Sequence, residues 1–181
     1  MGKKALVIID MQNDLCLDLR RHHLVKEVIA PLNRLIDRFV ETGQSVFYPC
    51  FALPKDDTQF KRFGDRYCIA GTSGAEVIAE LLPLKGTVVE KRKHSAFFET
   101  DLDNLLKDAS VSDVFLAGLQ TQVCIMTTAA DASFRGYRAV AVSDCVVSTR
   151  AERKQQALEW IERYVGEVLN SEQVALELSN G

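Results

Sequence analysis

Short apolar runs alternate with stretches of helical period, and this alternation constrains the fold more than any other feature. Residues 5–9 (ALVII) form a continuous, β-branched apolar run, the pattern of a strand buried on both faces. Residues 23–41 carry Leu24, Val28, Leu32, Leu35, Ile36 and Phe39 at spacings of three and four, one face of an amphipathic helix that Gly43 stops. Pro31 falls inside that pattern, so the helix is expected either to kink there or to become regular only near Pro31. The cycle then repeats. Strands are predicted at 44–48, 86–90, 111–119, 137–143 and 166–169. Helices are predicted at 73–82, from 100 onward, and at 122–135, 149–164 and 171–178. Ser73 and Glu76 read as a capping box. Residues 49–72, rich in charge, Pro and Gly, read as a long functional loop. Doubly buried strands alternating with helices imply parallel βαβ units with right-handed crossovers. The expected fold is a three-layer α/β/α Rossmann-like domain spanning residues 1–181, with no repeat or linker.

Charge and cysteine counts narrow the function. Lys plus Arg is 22 against 25 Asp plus Glu, a net −3, so no strong positive field exists to hold phosphate backbones and nucleic acid is not an expected partner. The basic residues 1–4 precede an apolar run that Asp10 closes, too short for a secretory or membrane-spanning segment. A cytoplasmic protein with reduced thiols and no membrane partner is expected. The five cysteines (Cys16, Cys50, Cys68, Cys124, Cys145) are odd in number and form no C-x-x-C pair, which argues against a disulfide framework and a zinc cage.

In open α/β sheets the site lies at the carboxyl ends of the strands, near the point where strand order reverses. Asp10 follows the first strand, Glu90 to His94 the third, and Asp144 the fifth; Cys124 stands at the entry to the helix after the fourth. At that helix N-terminus, backbone N–H groups and the helix dipole favour a thiolate and can hold a developing oxyanion. A buried structural cysteine is the plain alternative. Cys16, Cys50 and Cys68 fall in predicted loops and Cys145 after a predicted strand, without that setting. Asp10 is either a desolvated base with a raised pKa or a loop cap. Lys91 and Lys93 are either cations near the thiolate or part of a solvated turn, and spacing alone does not choose.

Four segments carry a family resemblance: ALVIIDMQNDL (5–15), CIAGTSGAEVIAEL (68–81), EKRKHSAFFETDLDNLL (90–106) and LAGLQTQVCIMTTAADASFRGY (116–137). In order and spacing the chain resembles the isochorismatase-like cysteine hydrolases, which include nicotinamidases and N-carbamoylsarcosine amidase. The resemblance covers residues 5–169. It implies a six-stranded parallel sheet in order 3-2-1-4-5-6, with Asp10, Lys91 (four before Ser95, rather than Lys93) and Cys124 as the catalytic set. It implies a cis peptide between Leu119 and Gln120 that turns the Gln120 N–H toward the substrate oxygen beside that of Cys124. It places the 49–72 loop and Phe97 or Phe98 as walls of the substrate pocket; Gln12 would orient Asp10 or the substrate, and His94, where relatives often carry an aromatic residue, either shapes the pocket or is a tolerated variant.

The family's nicotinamidases carry a D-x-H…H metal site after the second strand. Here residues 48–56 hold no histidine, and none follows until His94, so no catalytic metal and no cofactor are expected. A cysteine nucleophile also argues against isochorismatase proper. The implied chemistry is cleavage of a C–N bond in a small amide or ureido substrate through a thioester on Cys124. Asp10 serves as proton carrier in both half-reactions, and the enzyme is a homo-oligomer, dimer or tetramer. The rival readings are a binding or regulatory protein with an unused triad, a metal-independent nicotinamidase-like amidase, and a metal-dependent amidase.

Overall fold

The computed structural model describes residues 2–17, 22–57, 67–81 and 83–179. Six parallel strands form one sheet: β1 (Lys3–Ile9), β2 (Ser45–Phe51), β3 (Thr87–Lys91), β4 (Val111–Leu119), β5 (Arg138–Val147) and β6 (Glu167–Leu169). Their spatial order is 3-2-1-4-5-6, as the resemblance implied. The helices are α1 (Asn13–Cys16), α2 (His22–Glu41), α3 (Leu102–Asp108), α4 (Met126–Phe134), α5 (Ala151–Tyr164) and α6 (Ser171–Ser179).

The apolar run of β1 explains the layering. Successive side chains of a strand point to opposite faces. Ala5, Val7 and Ile9 join Leu102, Leu106, Ala129, Ala132, Leu158 and Ile161 in one core, beneath α3, α4 and α5. Leu6 and Ile8 join Leu32, Leu35, Phe39, Val174 and Leu178 in the other, beneath α2 and α6. A strand that feeds two cores has no polar face, hence the unbroken ALVII. No helix among the described residues is long and apolar enough to cross a membrane.

Several local expectations are corrected. The α2 helix begins at His22, well before Pro31, and continues through it, so the alternative of a helix that becomes regular only near Pro31 does not hold. One missing N–H is tolerated because the apolar stripe through Val25, Val28, Leu32 and Leu35 is buried along its length. The predicted 73–82 helix does not form. Two 3-10 turns, Ser73–Ala75 and Ala79–Leu81, stand there instead, and Leu82 lies outside the described residues. The reason is competition for backbone groups: the Ile78 N–H donates to Met11 O (3.0 Å) and the Asn13 N–H to Glu76 O (2.9 Å). Strand β2 runs on to Phe51, shortening the loop, of which residues 58–66 lie outside the described set. Strand β5 reaches Val147 through a register shift against β4, which puts Asp144 and Cys145 inside the strand; the Asp144 carboxylate accepts the Ser171 N–H and hydroxyl at the start of α6. Cys50 lies in β2 and Cys16 in α1, both buried, rather than in loops.

Gly118 fixes how closely β4 approaches β1. Its φ is +103°, and a Cβ built there falls 2.1 Å from Ile9 O and 2.7 Å from Ile9 N. Both atoms are backbone, so neither can move without opening the sheet. Gly118→Ala is expected to cost about 2–3 kcal/mol, the upper part of the overpacking range; urea unfolding measures it.

Candidate active site

The order 3-2-1-4 brings the carboxyl ends of four strands into one line, and three of them supply the polar cluster. Asp10 directly follows β1. Its φ is +59°, unusual for a residue with a Cβ, and it is 1% exposed. Its N–H still pairs with Pro49 O of β2 (3.0 Å), while its carbonyl accepts the Gln12 N–H (2.8 Å), so the chain turns sharply as the strand ends.

Lys91 ends β3 and must cross β2 to reach Asp10. Its partner in register is Phe51, and its Nζ lies 3.3 Å from the centroid of the Phe51 ring. A cation over an aromatic face keeps part of its charge stabilised where water is excluded. Beyond the ring, Nζ is 3.0 Å from Asp10 Oδ1 and donates to Lys93 O at 3.0 Å and His94 O at 3.5 Å. It lies 4.0 Å from Cys124 Sγ. Both charged side chains are almost wholly buried, so the pair is not a surface salt bridge.

Cys124 enters from the neighbour on the other side. The Leu119–Gln120 peptide at the end of β4 is cis. A wide turn over Thr121–Ile125 then leads into α4, with the Val123 and Ile125 N–H groups donating to Gln120 O. The Asp10 carboxyl and the backbone N–H of Gln120 both act on the sulfur, the first raising and the second lowering its thiol pKa. His94 Nδ1 approaches it to 3.7 Å.

Protonation follows from burial. Desolvation pushes the Asp10 carboxyl above 3.8, while Lys91 and the Cys124 hydrogen bond pull it back. Desolvation, then the Asp10 charge, pushes the Cys124 thiol well above 9.0, opposed by Lys91 and the Gln120 backbone. Burial and the Asp10 charge therefore favour the resting thiol over the thiolate expected at a helix terminus. The arrangement holds one proton between carboxylate and thiol beside a fixed cation. Cys50 and Cys145 are pushed up to about 12, chiefly by burial. His94 is held below 6.5 by partial burial and by Lys91 and Lys93.

The 94–102 segment shows why its residue types are needed. The Ser95 hydroxyl donates to the Asp131 carboxylate of α4, and the Ala96 N–H donates to Thr128 Oγ1 (3.0 Å). The Thr100 hydroxyl donates to Ala96 O at 2.6 Å. These bonds tie the chain after Lys91 to the helix that carries Cys124, so cation and thiol keep their separation.

Two expected pocket residues have other tasks. The Gln12 side-chain amide donates to Phe51 O (2.8 Å) and Ala75 O (2.7 Å) and accepts the Phe51 N–H (2.8 Å), leaving little of it for a substrate. It clamps the end of β2 and so seats Phe51 under Lys91. Phe97 stacks on Tyr137 at 5.9 Å and is buried in the core, under the Arg135 guanidinium, rather than forming a pocket wall. Phe98 is about half exposed, and the His94 ring lies beside the thiol. Phe51 was not anticipated; the one signal for it was an aromatic residue just beyond the predicted end of a buried strand. Among the described residues no three His, Cys, Asp or Glu side chains converge in a way that would hold a metal ion.

Comparison with known proteins bears on the family and the fold. The isochorismatase domain profile matches residues 4–173. The isochorismatase family protein PncA of Bacillus subtilis (strain 168) is 29% identical over 182 residues, covering 91% of this chain and 97% of that protein. Among solved structures, the N-carbamoylsarcosine amidase of Thermoplasma acidophilum superposes with a TM-score of 0.83 at 32% identity, over 93% of this chain and 96% of its own. The nicotinamidase PncA of Bacillus subtilis gives a TM-score of 0.83 at 27% identity, over 93% and 99% of the two chains.

Proposed function

This chain belongs to the isochorismatase family of hydrolases, and on that premise we propose that it cleaves the C–N bond of a small amide or ureido substrate through a thioester on Cys124. The observation that carries the reading is the contact of Asp10, Lys91 and Cys124, brought from three strands into one buried cluster. Asp10 takes the thiol proton as sulfur attacks the planar carbonyl, and Lys91 offsets the negative charge wherever the proton resides. The N–H groups of Gln120 and Cys124 receive the oxyanion, each such donor being worth about 3–4 kcal/mol of barrier. Asp10 then returns its proton to the departing amine or ammonia. Water cleaves the thioester and frees the acid. The solved relatives named for amide hydrolysis, an N-carbamoylsarcosine amidase and a nicotinamidase, support a carbonyl–nitrogen bond as target. A screen of small amides and ureides, read by ammonia release, tests the proposal. Release that Cys124→Ala removes supports it; release that survives in Cys124→Ala overturns it.

The reading includes no catalytic metal, because residues 48–56 supply no histidine. Exhaustive chelation is expected to leave ammonia release within about twofold of the untreated rate, far from the 10- to 100-fold losses that follow even from disturbing a metal's surroundings. Loss on chelation with recovery on adding back zinc or manganese selects the metal-dependent reading.

A further inference from the structure

The geometry points to His94 as the catalytic base of the second half-reaction, taking a proton from the water that cleaves the thioester and handing it to the departing sulfur of Cys124. The inference rests on the thioester reading above. It begins from access. Asp10 is 1% exposed, sealed behind Lys91 and the end of β2, whereas His94 is partly open. Water reaching an acyl group on Cys124 therefore arrives on the His94 side. Distance adds to this. His94 Nδ1 lies 3.7 Å from Sγ, which leaves room on the ring's side of the sulfur for an acyl carbon with a water between it and the nitrogen.

The ring is also held in place. Its edge-to-face contact with Phe51 has a centroid distance of 6.2 Å, and its carbonyl accepts Lys91 Nζ at 3.5 Å. Next in the chain, Ser95 is bound to Asp131 on α4. Among the described residues, Lys91, Lys93 and Cys124 act on the ring. The two cations disfavour a further positive charge, so the ring is neutral at pH 7, and with its proton on Nε2 it presents a lone pair at Nδ1.

The step balances. A water O–H bond breaks, its proton goes to Nδ1, and the oxygen forms a bond to the acyl carbon. The C–S bond then breaks, the electron pair stays on sulfur, and the Nδ1 proton crosses to it. The product acid loses its own proton to solvent, and both His94 and the Cys124 thiol are restored. Asp10, which has already delivered its proton to the leaving nitrogen, is a carboxylate paired with Lys91 at 3.0 Å through this half of the cycle.

p-Nitrophenyl acetate tests the step without knowledge of the natural substrate, because its first phase acylates the thiol and its second hydrolyses the acetyl thioester. In His94→Phe and His94→Gln, both checked for native thermal unfolding, each steady-phase rate is read against the same variant's nitrophenolate burst, so that any effect on acylation is separated from the effect on deacylation. The following steady phase is expected to fall about 100-fold, with acetyl-Cys124 accumulating in intact-mass spectra. Steady phases at the wild-type rate in both variants overturn the role of His94 while leaving the thioester reading intact. A burst that persists in Cys124→Ala overturns both.

Discussion

Lys91→Met is expected to lower folding stability by about 3–5 kcal/mol at neutral pH, the usual cost of removing one member of a buried ion pair. Methionine fills nearly the same volume over the Phe51 ring, so packing contributes little to the loss. What remains is the Asp10 carboxyl, 1% exposed and without its cation. The loss has a definite pH sense. Burial already holds this carboxyl above 3.8 in the native state. Its contribution to stability is therefore fully present below that unfolded value and is lost as pH rises through the native one. Removing Lys91 deletes the largest influence pulling the native value down, so the loss with rising pH is deeper in the variant. As pH falls through the native value the carboxyl takes up its proton in both proteins, and the cation of wild type then loses its counter-charge. The gap between the two proteins should narrow toward pH 4 and open by pH 8. Urea unfolding at the two pH values measures it. A gap equal at both, or below the ~1 kcal/mol of a surface pair, removes the ion pair from the account of stability.

That Lys91 reaches Asp10 at all was legible only by way of strand order. Apolar runs and helical periods reveal the elements, and the resemblance supplied the order 3-2-1-4-5-6 that brings β1, β3 and β4 to bear on one point. Once that order is fixed, Asp10 and Cys124 are neighbours by topology, and a residue with a four-carbon stem spans the intervening strand. Side-chain direction was not legible. Phe97 and Phe98 are adjacent and chemically identical, yet one is buried on Tyr137 and the other half exposed, because hydrogen bonds from Ser95 and Ala96 to α4 set the backbone between them. Gln12 reads in the sequence as a polar residue beside a catalytic aspartate; only the fold shows three backbone groups around its amide. The absent 73–82 helix has the same origin. Its capping signal is local, and the partner it lost to, residues 11–13, lies far away in the chain. Protonation was partly legible: a carboxylate after an apolar strand announces desolvation, but the same burial reverses the expectation for the thiol.

Asp10→Asn is expected to move turnover and thiol reactivity in opposite directions. The substitution preserves shape, and the amide oxygen can still accept from Lys91 Nζ, but it leaves that buried ammonium without its counter-charge, so both assays are run where urea unfolding shows the variant fully folded. As the proposed proton carrier of amide cleavage, Asp10 should be worth about ten-thousand-fold in kcat, the upper end for a positioned acid or base acting in the reacting site. The amine cannot depart without the proton that the carboxyl returns, and the loss should approach that of Cys124→Ala. Alkylation by iodoacetamide needs only a thiolate and no leaving-group proton. After burial, the Asp10 charge is the main influence holding the Cys124 thiol up, while Lys91 pulls it down. Removing the negative charge and keeping the positive one lowers the thiol pKa, so Asp10→Asn should alkylate faster than wild type at pH 7, with Cys145, which is buried and feels no charge from Asp10, unchanged. A variant slower in both assays would mean that Asp10 positions the sulfur rather than carrying its proton. A variant that keeps turnover would place the first proton acceptor elsewhere. Faster alkylation with lost hydrolysis is the combination that a positioning role does not produce, because poor placement of sulfur slows every electrophile alike.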